Sequence, residues 1–314
     1  MTSPVTSNPE PAPVPEPVEG RFPSIERFGA VEVPAGIDVV GIPATIGTLS
    51  AFHAAPAVGV PVRGIVLIVP GFTGSKEDFT TFLPLLSAAG WDVWAYSQRG
   101  QGDSAGPDGI EHYRLEDFAA DAIEVAGLVG GGSGVHLLGH SFGGVVARAA
   151  AIASPGSFRS LTMFCSGPSG WEGRLQDTSD TLAESGSLGL WYRDNPHTMG
   201  VPDSELTPDE AFVRLRHART SSDNLRSAVA ILRDDQDTTE QLHATGLPVH
   251  VAHGEHDDAW PIPWQHYMAL RLEARYSVIP GAAHSPQLEA PEAAAHALDA
   301  FWSSVPSSPL RQAQ

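Results

Sequence analysis

Positive charge is scarce in this 314-residue sequence, in which 18 Lys and Arg face 37 Asp and Glu for a formal net charge of -19. Lys76 is the only lysine. Proteins that bind nucleic acid or dock on anionic membranes use basic surfaces to neutralise phosphates. The composition therefore predicts neither a nucleic-acid partner nor stable membrane association.

Cysteine is nearly absent as well. The single Cys165 excludes an internal disulfide and any zinc site built from several cysteines, and its apolar surroundings in the sequence predict a buried core residue. A chain of this length buries a core large enough to fold without metal or disulfides. No segment approaches the roughly 20 apolar residues of a membrane helix. The N-terminus also lacks the charged and apolar regions of a secretory signal, so we expect a cytoplasmic protein.

Two terminal segments differ in composition from the rest. Residues 1–20 and 306–314 are rich in proline and small or polar residues, which bury too little apolar surface to offset the entropy lost on ordering. We predict a disordered leader, or an uncleaved pro-segment, and a disordered tail around a folded body.

Short β-rich runs alternate with helical patterns in that body, which predicts an α/β fold with a mostly parallel sheet flanked by helices. The runs are almost continuously apolar, as burial on both faces requires. They lie at residues 64–69, 91–96, 134–138, 160–165, 248–252 and 275–279. Residues 37–55 predict an antiparallel edge hairpin ahead of them. Helices are predicted at 78–89, 114–129 and 142–152.

The alternation stops at residues 168–245, which contain helix signatures but no convincing strand. Thr207 to Glu210 form a capping box with proline at the first helical position. We predict a helical cap, or lid, inserted after the sixth strand and lying over the carboxyl ends of the strands, where such sheets bind ligands. The α/β core then comprises residues 21–167 and 246–305.

The strongest chemical signal is Gly139-His140-Ser141-Phe142-Gly143, which lies between a predicted strand and a predicted helix. A nucleophile elbow needs this context, because its tight turn requires small residues two positions before and after the serine. The strained turn projects the serine Oγ away from the sheet. We therefore predict Ser141 as a nucleophile. The alternative, a glycine-rich turn with an incidental serine, does not account for both glycines in this setting.

A serine hydroxyl needs a base within hydrogen-bond reach and an acid that orients the base. For an elbow serine, the acid and then the histidine follow along the chain. Asp257 and Asp258 come just after the predicted strand at 248–252, and His284 follows the strand at 275–279. All three lie at the sheet edge that carries Ser141. We predict His284 as the general base and leave both aspartates as candidates for the acid.

Acyl transfer also needs hydrogen-bond donors for the oxyanion. The backbone N–H of Phe142, next to the nucleophile, supplies one. The loop after the strand at 64–69 should supply the second from Phe72, since Gly71 permits an unusual backbone geometry. An ordinary Pro-Gly turn is the alternative explanation of that loop.

The spacing of His250, His253 and His256 invites a metal-site interpretation. Residues three apart on a strand point to opposite faces, so His250 and His253 would not converge on one ion. We predict no metal site and place His253 in or beside the pocket.

Five motifs stand in order along the chain, at residues 70–75, 97–104, 139–144, 254–257 and 281–284. They resemble the α/β-hydrolase superfamily, especially its lid-bearing serine esterases and its monoacylglycerol-lipase-like or lysophospholipase-like hydrolases. The resemblance implies the α/β-hydrolase fold from about residue 39 to residue 302. It also favours Asp257, which stands three positions after a glycine, as the triad acid. Pro70, Ser97 and Ala283 depart from the family's usual His, Asp and Gly, and none of these changes removes a reacting group.

The resemblance implies a cofactor-free enzyme. Serine at the elbow excludes relatives that use aspartate there, such as haloalkane dehalogenases and most epoxide hydrolases of this fold. We predict a serine hydrolase that cleaves a carboxylic ester of an apolar or aromatic small molecule through an acyl-enzyme. Candidate pocket residues are His140, Trp171, Trp191, Tyr192 and Trp260.

Other functions remain open at this point. The same triad serves carbon-carbon bond hydrolases, lactonases and cofactor-free perhydrolases, because this fold hosts many chemistries. A non-catalytic receptor for a small ligand is the candidate from another class. The sequence leaves the oligomeric state open.

Overall fold

A computed structural model describes residues 21–306 of the chain. The leader predicted at residues 1–20 lies outside the described residues, as does the tail predicted at 306–314 except for Pro306. The prediction of an α/β fold is confirmed within them.

The described chain forms one eight-stranded sheet in the order β1-β2-β4-β3-β5-β6-β7-β8. Its strands are β1 (Asp38–Ala44), β2 (Gly47–Ala54), β3 (Gly64–Val69), β4 (Trp91–Tyr96), β5 (Val135–His140), β6 (Phe158–Phe164), β7 (Val249–Gly254) and β8 (Arg275–Ile279). β1 and β2 form the predicted antiparallel edge hairpin, and β2 pairs antiparallel with β4. The remaining pairs are parallel. The carboxyl ends of β5, β7 and β8 therefore lie along the same edge.

The end of β5, next to the predicted nucleophile, differs from the prediction. β5 continues two residues past the predicted end at Leu138, because Gly139 and His140 pair with Met163 and Phe164 of β6. β5 therefore reaches the residue before Ser141. Cys165 lies one position beyond β6 and is fully buried, as expected for a core residue.

Ten α-helices accompany the sheet in residues 21–306. They are α1 (Leu83–Ala88), α2 (Leu115–Gly130), α3 (Phe142–Ala153), α4 (Gln176–Asp194), α5 (Pro208–Arg219), α6 (Ser222–Asp234), α7 (Thr239–Ala244), α8 (Ile262–Arg271), α9 (Pro286–Glu289) and α10 (Pro291–Trp302). The helix predicted at 78–89 is wrong in its first half, where a short 3₁₀ turn at Lys76–Phe79 precedes α1. Pro84 explains the break, since proline is tolerated in the first turn of a helix and not in its interior.

Helices cover both faces of the sheet. α2 and α3 pack on one face, where residues such as Phe118, Val145 and Leu137 form the larger core cluster. α1 and α10 pack on the other face around Leu83 and Trp302. Burial on both faces explains why the central strands are apolar at nearly every position.

Helices α4 to α7 fill the interval between β6 and β7, where the sequence predicts helices alone. The predicted capping box is present at the start of α5, where Thr207 Oγ1 accepts from Glu210 N at 3.2 Å. α4 packs against α5 and α6, whereas α7 packs against α3 and α8. No helix in residues 21–306 combines the length and apolar character needed to cross a membrane.

Four buried histidines predict sensitivity to acid. Burial lowers the pKa of His136 and His250 to about 3, and of His140 and His217 to about 4. In the unfolded chain these rings protonate near pH 6.5. Stability is therefore complete above pH 6.5 and is lost as the pH falls toward 4 and 3, because the unfolded chain binds more protons. Each ring contributes about 1.4 kcal/mol per pH unit within that window.

Urea unfolding at pH 7, 6 and 5 measures this effect. We expect the free energy of unfolding to fall steeply below pH 6.5, and His250→Asn to make the pH dependence shallower by about one proton per molecule. The control is His256→Asn, because His256 is exposed. The same slope in His250→Asn and in wild type would contradict the prediction.

Candidate active site

Ser141 occupies the turn between β5 and α3 in a strained conformation, with φ 56° and ψ -119°. The two elbow glycines fit for steric reasons. A Cβ on Gly139 would clash with the Gly143 carbonyl oxygen, and a Cβ on Gly143 would clash with the carbonyl oxygens of Val69 and Pro70. The backbone therefore demands glycine at both positions, as a nucleophile elbow requires.

Replacing Gly143 with alanine tests this packing. The added methyl group must displace the Val69 and Pro70 carbonyls, and Pro70 leads into the loop that carries Phe72. We expect kcat/KM for ester hydrolysis to fall by about 10²-fold or more, the loss typical of removing one oxyanion donor. Gly127→Ala is the matched control, because a Cβ at Gly127 of α2 meets no atom within 4 Å. Full activity in Gly143→Ala would contradict the expectation that displacing these carbonyls disturbs the loop that carries Phe72.

The structure brings Ser141, His284 and Asp257 into one hydrogen-bonded chain. His284 follows β8, and its Nε2 lies 2.9 Å from Ser141 Oγ. Its Nδ1 lies 2.9 Å from Asp257 Oδ1. Asp258, the rival acid, is exposed and makes no such contact. Asp257 is buried, since the turn after β7 directs it inward.

Further hydrogen bonds fix the Asp257 carboxylate. Gln265 of α8 donates to Oδ2 at 2.8 Å, and the Ala259 N–H donates to Oδ1 at 3.1 Å. Burial raises the pKa of Asp257, but the hydrogen bonds and the attraction of His284 outweigh burial and hold that pKa below its usual value. An ionised acid beside His284 stabilises an imidazolium. Nothing in the sequence points to Gln265, because its role depends on how α8 packs on the turn.

His140 lies beside the hydrogen-bonded chain of Ser141, His284 and Asp257. Its Nε2–H donates to the backbone carbonyl of His284 at 2.8 Å. Burial and the nearby His284 lower the pKa of His140 to about 4, so its ring is neutral at physiological pH. A neutral ring that donates from Nε2 holds the His284 backbone without placing a second positive charge next to the base. The structure thus places this predicted pocket residue at the site.

The loop after β3 carries Phe72 to the face of the elbow. Within residues 21–306, the Phe72 N–H donates to no carbonyl or side chain. Phe142 is the first residue of α3, so its N–H has no carbonyl partner within the helix. Among the residues that the structure describes, neither predicted oxyanion donor has an acceptor, so both are available to a ligand.

Side chains from the motif after β4 brace that loop. Gln98 Nε2 donates to the Pro70 carbonyl at 2.9 Å, and Gln101 Nε2 donates to the Gly71 carbonyl at 2.9 Å. Ser97 Oγ accepts from the Lys76 N–H at 3.2 Å. These contacts hold the loop although Pro70 and Ser97 differ from the residues usual in the family that the sequence resembles.

The only lysine is part of the same support. Lys76 is fully buried, and its Nζ lies 2.7 Å from Glu77 Oε1 and 2.8 Å from Asp103 Oδ1. Two carboxylates thus compensate one buried ammonium group. The pair anchors the end of the Phe72 loop to the segment after β4.

A cavity of about 360 Å³ opens in front of Ser141 and His284. Its other walls include Arg174, Leu175 of the segment before α4, and Arg216 of α5. Arg174 and Arg216 were missed, because nothing in the sequence around either arginine marks it as a cavity residue.

The aromatic residues predicted for the pocket lie elsewhere. Trp171, Trp191, Tyr192 and Trp260 do not line the cavity within the described residues. Trp260 is buried behind Arg174, and Trp191 packs near His217. Their large apolar rings pack inside the protein. They therefore give no support for an aromatic substrate.

Candidate metal ligands are few in the described chain. His140, Cys165 and His284 bring one potential ligand atom each within 4.8 Å of one another. Both ring nitrogens of His284 already face Ser141 and Asp257. His250 and His253 contact Ser277 and Tyr276 respectively, so they point to different partners.

The sequence is similar to a known protein family and to individual proteins within it or near it. The model of a family described as "Alpha/beta hydrolase family" matches residues 66–297. Epoxide hydrolase A of Mycobacterium tuberculosis is 34% identical over 88 residues, which cover 28% of this chain and 27% of that protein. A putative carbamate hydrolase, RutD of Variovorax paradoxus, is 28% identical over 213 residues, which cover 63% of this chain and 75% of the relative. The match to the epoxide hydrolase thus spans about a quarter of its length.

A solved structure shares the fold. A thermophilic esterase from Thermogutta terrifontis superposes with a TM-score of 0.67 at 21% identity, covering 85% of this chain and 98% of the esterase. Identity at this level carries the architecture alone.

Proposed function

Because the chain belongs to the alpha/beta hydrolase family, a family of hydrolases, we propose that it is a serine hydrolase that cleaves a carboxylic ester through an acyl-enzyme. The observation that carries this proposal is the continuous hydrogen-bonded chain from Ser141 Oγ through His284 to Asp257. Such a chain activates a hydroxyl that is otherwise a weak nucleophile at neutral pH.

The first half of the reaction forms the acyl-enzyme. Ser141 Oγ attacks the carbonyl carbon while its proton passes to His284 Nε2. The Phe72 and Phe142 N–H groups bind the oxyanion, and Asp257 stabilises the imidazolium. The bond to the leaving oxygen then breaks, and His284 gives its proton to the departing alcohol.

The second half uses water. Water attacks the acyl carbon and passes a proton to His284 Nε2. Collapse of the second oxyanion breaks the bond to Ser141 Oγ, which recovers the proton. The carboxylic acid leaves and the enzyme returns to its starting state, so no cofactor enters the proposed cycle.

We propose that helices α4 to α6 form a cap over this site. Two contacts support the proposal: the Ser221 N–H donates to the Gly100 carbonyl at 2.8 Å, and Asn224 Nδ2 donates to the Arg99 carbonyl at 2.6 Å. They tie the junction of α5 and α6 to the segment that braces the Phe72 loop. A cap fixed in this way restricts the cavity to a small-molecule substrate.

The likeness to epoxide hydrolases suggests a second reaction, and Ser141 argues against it. Aspartate-dependent relatives form an ester on their own carboxylate, which a serine hydroxyl cannot do. Carbon-carbon bond hydrolases, lactonases and perhydrolases use the same triad and differ only in substrate, so a substrate survey separates them. Free oxyanion donors beside an intact triad weigh against a non-catalytic receptor.

A fluorophosphonate probe and an ester series test the proposal together. We expect the probe to modify Ser141, located by peptide mass spectrometry, and chromogenic acyl esters of increasing length to show one optimum. Preincubation with the probe should abolish hydrolysis. Failure to label Ser141 in a folded protein would overturn the assignment of a catalytic serine.

A further inference from the structure

We propose that Arg174 binds a carboxylate of the substrate, so that the preferred ester carries a second, acidic group. This inference rests on the proposed function, since it concerns the substrate of the same site. The observation behind it is a buried cation on the cavity wall that has no carboxylate oxygen of residues 21–306 within 4.0 Å.

Four arginines in the described chain are at least nine-tenths buried, and three of them have carboxylate partners. Arg99 pairs with Asp121, Arg148 with Asp235 and Arg216 with Asp78. Arg174 is only 8% exposed, yet within residues 21–306 no carboxylate oxygen lies within 4.0 Å of it. Buried charges are normally paired, because an isolated one is costly. A ligand carboxylate would supply the missing partner.

The contacts that Arg174 does make fix its orientation and leave its charge in place. Its terminal nitrogens donate to the carbonyls of Ala259 at 3.0 Å and Leu232 at 3.5 Å. The guanidinium lies 4.2 Å from the ring centroid of Trp171 and 3.8 Å from that of Trp260. Carbonyls and ring faces hold a cation without neutralising it. Burial lowers the pKa of Arg174 to about 10, so the side chain remains charged at neutral pH.

The cavity as a whole favours one negative charge. Among its lining residues Arg174 and Arg216 are cationic and Asp78 is anionic, and Asp78 is already bound to Arg216. Among the charged residues that line the cavity, Arg174 is therefore the one without an ion pair in the described chain, and only the more distant carboxylates of Asp235 and Asp257 attract it. A planar guanidinium matches a carboxylate through two parallel hydrogen bonds.

The same cavity accommodates the rest of such a substrate. Leu175 and Leu232 line it together with Arg174, Ser141 and His284. A short aliphatic chain would lie against the leucines, with its ester at Ser141 and its carboxylate at Arg174. The predicted substrate class is thus the monoester of a small dicarboxylic acid, which replaces the apolar or aromatic ester expected from the sequence.

Paired substrates test this assignment. Monomethyl glutarate and dimethyl glutarate share an acyl chain and differ in the free carboxylate, and methanol release gives kcat/KM for both. We expect wild type to prefer the monoester, and Arg174→Gln to lose about 10- to 100-fold on the monoester, the range of one charge-assisted hydrogen bond. Dimethyl glutarate should change little. Arg226→Gln is the control, because Arg226 is exposed on α6.

A binding measurement separates this inference from the proposed function. Glutarate should bind the Ser141→Ala protein in calorimetry, and Arg174→Gln in that background should abolish binding. Glutarate binding without any ester hydrolysis would overturn the proposed function and support the anion site. Equal turnover of both esters, with no glutarate binding, would overturn the anion site and leave the esterase standing.

Arg174 is buried, so the Arg174→Gln variant needs a substitute in case it does not fold. If Arg174→Gln does not fold, Arg174→Lys and competitive inhibition of wild type by glutarate replace it. Lysine keeps the charge and loses the paired hydrogen bonds, so a selective loss on the monoester supports the inference. Equal losses on both esters would show that Arg174 only packs against Trp171 and Trp260.

Discussion

Replacing Ser141 with alanine is expected to lower kcat for ester hydrolysis by about 10⁴- to 10⁶-fold, the loss seen when a triad nucleophile is removed. The fold should persist, because alanine keeps the Cβ that serine already carries at φ 56°. Hydrolysis of the preferred chromogenic ester, with the thermal unfolding midpoint measured in parallel, gives both results.

The matched control is Ser154→Ala. Ser154 follows the last residue of α3, at the end of that helix opposite to Ser141. It should retain wild-type turnover. If the folded Ser141→Ala protein still hydrolyses the ester after a second purification, another group performs the attack.

Asp257→Asn should lower kcat by about 10³- to 10⁴-fold, since asparagine has the shape of aspartate but lacks the charge that stabilises the His284 imidazolium. The amide side chain of this variant also no longer selects the tautomer in which His284 Nδ1 donates and Nε2 accepts from Ser141. The measurement is kcat of Asp257→Asn and of wild type at several pH values, which reports the effect of losing the carboxylate charge.

Asp258→Asn is an unusually close control, because it makes the same chemical change one position away on an exposed side chain. Its activity should match that of wild type. A large loss in Asp258→Asn with little effect in Asp257→Asn would reverse the assignment of the acid.

Local rules were enough to predict the elbow and the central strands. The clashes at Gly139 and Gly143 involve backbone atoms only, so the pattern G-x-S-x-G between strand and helix reports them directly. β3 and β4 were predicted to the residue, because every position of both strands is buried and Asp92 is the only charged residue among them.

Tertiary packing decided what the sequence left open. Asp257 and Asp258 are chemically identical neighbours, and the tertiary contacts with Gln265 and His284 distinguish the buried Asp257 from the exposed Asp258. Four of the five predicted pocket residues lie off the cavity wall for a similar reason. Their hydrophobic character suggested that the tryptophans line the pocket. Instead, Trp171 and Trp260 hold Arg174 in place, and Arg174 lies on the cavity wall.

The buried position of Lys76 has a practical consequence for labelling. Reagents that acylate amines attack lysine side chains, and the only lysine of this chain has no exposed surface in the folded state. Its Nζ becomes accessible only when the turn at Lys76–Phe79 opens and the contacts with Glu77 and Asp103 break. The rate of modification at Lys76 therefore reports how often the loop that carries Phe72 comes apart.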